Sequence, residues 1–225
     1  KVVTASAFTS SRPKQHVLIA FLVLVDEGKT VRVLYSNPGP KHVVSSRFPV
    51  QQFVFPSDSG CTDNSLCFTF VLTDSSSERV YGHVMHTVTG EAYVCLSAYA
   101  WCGFFQHVMH LYRVNGPDEH GKRMIRHLID CTEERIPRPG QLFSVTVGGR
   151  RLQRPQDHLN PFVDCFPGAL LSVFTTDQLL EVVASLLSER RVVIAGPTYG
   201  MVSAVVMSLQ ALLAPFEWQH VLLSV

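Results

Sequence analysis

The chain has 225 residues, 46% of them hydrophobic, which is enough to bury a sizeable core in one large domain or two small ones. A formal net charge of +1 gives no long-range pull toward nucleic acid or acidic lipid. The six cysteines, at positions 61, 67, 95, 102, 131 and 165, make no CxxC pair and no dense secreted framework, so a reducing compartment is expected.

Residues 1–15 are rich in Ser, Thr and Lys and read as an irregular lead-in. They lack the basic, apolar, small-residue order of a signal peptide, and with no initiator Met the chain reads as an excised piece. The longest apolar run, 17–25, is too short to span a bilayer. With 30–35 it predicts a hairpin around Asp26, Glu27, Gly28 and Lys29, because Gly28 supplies the positive φ of such a turn. A proline-containing loop leads to Phe53-Val54-Phe55-Pro56. Residues 66–72, 79–88 and 92–98 predict three strands of an antiparallel meander, separated by polar turns. Helices are expected at 104–112 and 119–131, on one side of the sheet, giving an α+β layer. Residues 136–140 read as a Pro-containing linker, and 142–147 with 151–153 as a hairpin around Gly148-Gly149.

From Thr175 onward the pattern is helix, strand, helix, strand. Thr175 and Gln178 form a capping box, and Leu179, Leu180, Val182, Val183, Leu186 and Leu187 make a wide apolar stripe. The cations Arg190 and Arg191 suit the negative end of that helix, and Val192 to Ala195 reads as a short strand covered on both faces. Leu186 and Val193 are accordingly expected to be fully buried. A second helix is expected over 199–213, with Ala204, Ser208 and Ala211 allowing close packing and Pro215 ending it. Residues 216–225 read as a second buried strand. Helices between strands imply a mainly parallel, helix-covered α/β sheet.

The runs SLLSERRVVIAG and ALLAPFEWQHVLL, in that order, closely resemble the central module of DENN domains, and Arg154, Pro155 and Asp157 resemble the RPxD segment that opens it. Upstream, Phe53 to Pro56 resembles the family's FCFP segment, and CFTFVLTDSSSERVYGHV and YVCLSAYAWCGFF resemble the strands of its N-terminal module. Ala214, Ser224 and the glycine-rich stretch 196–200 depart from the family pattern. The resemblance covers about residues 17–225. It implies a longin-like uDENN module over 1–135 and a partial cDENN module over 136–225, the chain stopping inside the latter. It also implies guanine-nucleotide exchange on a Rab GTPase in vesicle trafficking, with no chemical catalysis, no cofactor and no integral membrane segment. The location implied is cytoplasmic, peripheral on vesicle membranes through the parent protein. The alternative is a scaffold that binds a small GTPase or trafficking partner without exchange. No residue is assigned to the partner interface, which the resemblance places on both modules and the cleft between them.

Other constellations compete with this reading. Gly196-Pro197-Thr198-Tyr199-Gly200 has the spacing of a nucleophile elbow, with Glu217 and His220 following in acid-then-base order. An α/β hydrolase would draw acid and base from separate later loops, whereas these two lie three residues apart, so Thr198 is given only a turn role. His-Val-Met-His occurs at 83–86 and again at 107–110. His107 and His110 would share a helix face and, with Cys102, could offer zinc ligands, whereas His83 and His86 would point to opposite faces of a strand. Exposed, unmetallated histidines are the simpler reading. Arg190 and Arg191 could meet an acidic partner, but pairing with Glu189 or free carbonyls is the commoner arrangement. Trp218 is expected in the core with its indole nitrogen satisfied locally. Cations interleaved with aromatics are too sparse for RNA binding.

Overall fold

Strands in the first half read as almost continuous apolar runs because both faces of their sheet are covered. The computed structural model describes residues 16–28, 30–37, 50–56, 67–73, 79–116, 118–131, 136, 141–147, 150–155, 167–216 and 218–223. β1 (Ala20–Asp26) and β2 (Val31–Asn37) form the expected hairpin. Gly28 takes φ of 83° and donates its N–H to Asp26 Oδ1 at 2.8 Å. β3 (Cys67–Thr73), β4 (Arg79–His86) and β5 (Glu91–Ser97) form the meander, and the antiparallel sheet has the order β2-β1-β5-β4-β3.

Period-two alternation sends Phe21, Val23, Met85, Tyr93 and Cys95 to one face and Leu22, Leu24, Phe70, Val84 and Val94 to the other. The first face packs on α2 (Cys102–Asn115) and α3 (Glu119–Ile129) through Phe105, Val108, Met109, Tyr112, Met124 and Ile125. Asp118 caps α3 by accepting from the N–H groups of His120 and Gly121, each at 3.0 Å. The other face is covered by α1 (Val50–Val54), whose Val50 and Val54 are buried with Phe53 and Phe55 beside them. The sequence reading has no element there, since five residues are too few for a helical period to register.

β6 (Leu142–Val147) and β7 (Arg150–Pro155) pair as predicted, the turn at 148–149 lying outside the described residues. Phe143, Val145 and Leu152 of this hairpin enter the same core as α2 and α3. The guanidinium of Arg154 lies 4.4 Å from the Trp101 ring centroid, clamping the hairpin to the start of α2. Of the linker expected at 136–140, only Ile136 is described; Asp157 is also outside the described residues.

Three helices follow: α4 (Pro167–Val173), α5 (Thr176–Leu187) and α6 (Tyr199–Leu212). α5 opens with both halves of the capping box, Gln178 N–H donating to Thr175 Oγ1 at 3.4 Å and Thr175 N–H donating to Gln178 Oε1 at 3.0 Å. Its C-terminus is a Schellman turn, with Arg190 N–H donating to Ser185 O and Glu189 N–H to Leu186 O. Glu189 sits at the left-handed position, φ 55°, where glycine is favoured. Glu189→Gly is therefore expected to stabilise the fold by about 0.5 to 1 kcal/mol, the lost contact to His220 being an exposed pair of little worth. A lower melting temperature in the variant would contradict this.

The two strands expected in this part do not form. Residues 190–196 and the described residues of 216–223 pair into no ladder and are irregular, with bends at 216 and 220. Val193 is 90% exposed instead of buried, and Leu186 is only half-buried. Helical order is set within a turn or two of chain, whereas a strand requires a neighbour at hydrogen-bonding distance. Among the described residues neither stretch has one. Val192 and Ile194 are half-buried, Ile194 packing beside α4, α5 and α6, while Val193 and Ala195 point outward. α5 has no fully buried residue; Leu179, Val182 and Leu186 rest against Leu170, Val205 and Leu209. No helix among the described residues is long and apolar enough to cross a membrane.

Candidate functional site

The first sheet and the later helices meet along β3. As an outer strand, β3 would expose backbone N–H and C=O groups, and α6 covers them. Ser203 Oγ accepts from Thr69 N–H at 2.7 Å and donates to Thr69 O at 2.9 Å. Below this contact Thr69 Oγ1 lies 3.1 Å from His83 Nδ1 and 3.6 Å from Cys102 Sγ. His83 Nε2 lies 3.1 Å from Tyr99 O. A carbonyl can only accept, so the ring proton is on Nε2 and Nδ1 accepts from the Thr69 hydroxyl. Burial holds His83 neutral, its pKa lowered to about 4 despite the bond to Tyr99. The ring stacks on Phe105, centroids 4.7 Å apart.

Along an adjoining face of α6 lies a groove of about 970 Å³, walled by α6, the end of α5 and the two unpaired stretches. Its lining includes Val202, Val206, Leu213, Val221 and Leu222, with Glu189, Arg190, Arg191 and His220 also facing it. Arg79, at the start of β4, donates to the carbonyls of Trp218 and, at 3.0 Å, of His220, tying the 218–223 stretch to the sheet. Glu189 Oε2 meets His220 Nε2 at 3.4 Å. Arg190 and Arg191 are exposed and have no ion pair with a described residue, so the expected pairing with Glu189 is not made. Trp218 is half-buried rather than in the core, with its indole N–H donating locally to Val221 O at 3.4 Å.

The other candidates are dispersed. Thr198 caps α6, its Oγ1 accepting from Met201 N–H at 3.2 Å, which is the turn role expected of it. His220 is engaged with Glu189, and Glu217 lies outside the described residues. His107 and His110 are exposed on α2, while Cys102 is buried against Thr69, so the three do not converge. Among the described residues no three His, Cys, Asp or Glu side chains come together as a metal site. His83 and His86 do point to opposite faces: His86 stacks on Phe55 at 5.2 Å and lies 2.9 Å from Val54 O. Burial raises the thiol pKa of Cys67, Cys95 and Cys102, which suits packing rather than nucleophilic attack. This geometry offers a partner an apolar groove with charged residues along it, beside the sheet. No motif in the sequence signals the groove, and Ser203, which holds α6 to β3 outside that lining, reads there only as a small helical residue.

The family profile of the uDENN domain matches residues 33–87, and that of the DENN (AEX-3) domain matches residues 88–225. Among curated proteins, the chain is similar to DENN domain-containing protein 2B of Mus musculus and to DENN domain-containing protein 2B of Homo sapiens. Each is 26% identical over 201 residues, which is 78% of this chain and 17% of the relative. The chain thus spans a minor part of those proteins' length. The two profiles lie in the order of the motifs read from the sequence, the second covers more than half of the residues, and the antiparallel five-stranded sheet with its helices fits the longin-like first module: the chain belongs to the DENN domain family.

Proposed function

We propose that this chain is part of a guanine-nucleotide exchange factor for a Rab-family GTPase, promoting GDP release at the cytoplasmic face of vesicle membranes. The observation that carries the reading is the DENN profile over residues 88–225, preceded by the uDENN profile, because this family is generally linked to exchange on Rab GTPases. Such a factor transforms no bond. It binds the nucleotide-free GTPase more tightly than the loaded one, and by reciprocity the bound factor weakens nucleotide affinity by the same ratio.

We divide the chain into a uDENN module over 1–135 and part of a cDENN module over 136–225, with the GTPase contacting both. The groove beside α6, lined by residues of the second module, gives that module a surface a partner could use. Its apolar lining and the exposed Arg190 and Arg191 suit a protein surface with acidic edges better than a small substrate.

The test is release of a fluorescent GDP analogue from a panel of Rab proteins, with the full-length parent added at increasing concentration. Acceleration for one or a few Rabs is the expected result. Release unchanged across the panel, with Rab binding retained, would establish a scaffold instead.

A further inference from the structure

We propose that Ser203 is a positioning residue for exchange: its hydroxyl latches α6 to the edge of the five-stranded sheet and so sets where the groove stands relative to the first module. The role in exchange rests on the function proposed above; the latch itself rests on geometry alone.

In a strand, the N–H and C=O of one residue point to the same side. At Thr69 they point away from β4, toward α6. Thr69 and Ser203 are each 3% exposed, so neither backbone group can turn to water, and both must be paired within the protein. One hydroxyl meets both, accepting from the N–H and donating to the C=O. A helix that slid or tilted along β3 would break the two bonds together, which gives the contact a single preferred position along the strand.

The bonds continue inward. Thr69 Oγ1 reaches His83 on β4, and His83 reaches the carbonyl of Tyr99 just before α2. The chain therefore runs from α6 through two strands to the helix layer of the first module. Beside it Met207 of α6 packs with Val71, Tyr81 and Cys102, and Gln210 Nε2 donates to Tyr81 Oη at 3.5 Å. Val202, Val206 and Leu213 of the same helix line the groove, so fixing α6 fixes the groove wall. A GTPase that touches both modules would gain from this, since their relative placement is settled before it binds.

The experiment uses the full-length protein with Ser203→Ala and Ser203→Thr. Maximal nucleotide release at saturating exchange factor is expected to fall by about tenfold for Ser203→Ala, which removes the hydroxyl that bonds two buried backbone groups. Ser203→Thr keeps the hydroxyl and is expected to stay within about threefold of wild type. In parallel, deuterium uptake of the peptide covering 67–73 should rise in Ser203→Ala and remain low in Ser203→Thr. Should Ser203→Ala fail to fold, Ser203→Cys supplies a slightly larger group that is only a weak donor and acceptor, and is expected to release nucleotide more slowly and take up more deuterium over 67–73 than Ser203→Thr. Unchanged uptake in the folded alanine variant, or equal impairment of the threonine variant, would overturn the latch. Wild-type protein that releases nucleotide from no Rab would overturn the role in exchange and, through the uptake arm, leave the latch separately judged.

Discussion

Gly82→Ala is expected to destabilise the protein by about 3 kcal/mol, the upper part of the usual range for overpacking a core. Gly82 lies in the middle of β4 and is paired in register with Phe70 of β3. The Phe70 ring lies over the glycine, and a Cβ there would overlap the ring atoms Cζ, Cε1 and Cε2. Phe70 has nowhere to go: it is 1% exposed and stacks on Phe53 of α1, centroids 5.5 Å apart. Glycine inside a strand ordinarily costs stability, and here the aromatic side chain across the ladder covers its bare backbone and recovers part of that cost. The measurement is urea unfolding of the wild type and the variant at neutral pH. A loss below about 1 kcal/mol would mean that the ring can move aside. Phe70→Leu added to Gly82→Ala should recover part of the loss, because it removes the colliding atoms; no recovery would place the strain elsewhere.

The elements whose form is decided locally were legible. Gly28 marked the β1–β2 turn, Thr175 with Gln178 marked the start of α5, and three strand-like runs divided by polar turns in 66–98 marked the meander. Each signal acts over two to eight residues, and each is matched by a hydrogen bond or a φ angle. The strands expected at 192–195 and in 216–225 failed for the opposite reason. Apolar β-branched composition shows that a segment would tolerate a strand, but a ladder partner is a fact about distant chain. Val193, outward and 90% exposed, shows how little Val-Val-Ile-Ala alone fixes burial.

The site was less legible than the fold. Neither Ser203 nor Thr69 belongs to a motif, and they are separated by 134 residues, so no spacing could link them. In the sequence His83 stands out only as part of a repeated tetrapeptide, and on a strand it cannot share a metal with His86. One retrospective signal is the threonine in CFTFVLT, a polar side chain within a run that is buried on both faces. Such a residue calls for a partner from outside its own strand, and here His83 and Cys102 meet the side chain while Ser203 meets the backbone.

Lowering the pH from 7 to 4 is expected to cost about 3 kcal/mol of stability through His83 alone. The sign follows from which state takes the proton first. Unfolded, the imidazole has its ordinary value of 6.5; folded, burial lowers it to about 4. Between these values the unfolded chain binds a proton that the folded protein refuses, so stability rises with pH across that window. The contribution is complete above about pH 6.5 and is lost as pH falls through the folded value. A gap of about 2.5 units at about 1.4 kcal/mol per unit gives about 3.5 kcal/mol in full, of which about 3 is lost by pH 4, where the folded ring is itself half protonated. Among the described residues no carboxylate bonds to the ring to offset the charge. Its neighbours are the Thr69 hydroxyl, the Tyr99 carbonyl and the Phe105 face, with Cys102 beyond Thr69. His86, lowered in the same direction by burial against Phe55 and Phe68, adds to the trend. Because carboxylates elsewhere also titrate, the quantity to measure is a difference: unfolding free energy at pH 7, 5.5 and 4 for wild type and for His83→Gln. The variant should be less stable at pH 7 yet lose about 3 kcal/mol less on acidification. Parallel pH curves for the two proteins would mean that His83 takes up its proton without leaving its place between Thr69 and Tyr99.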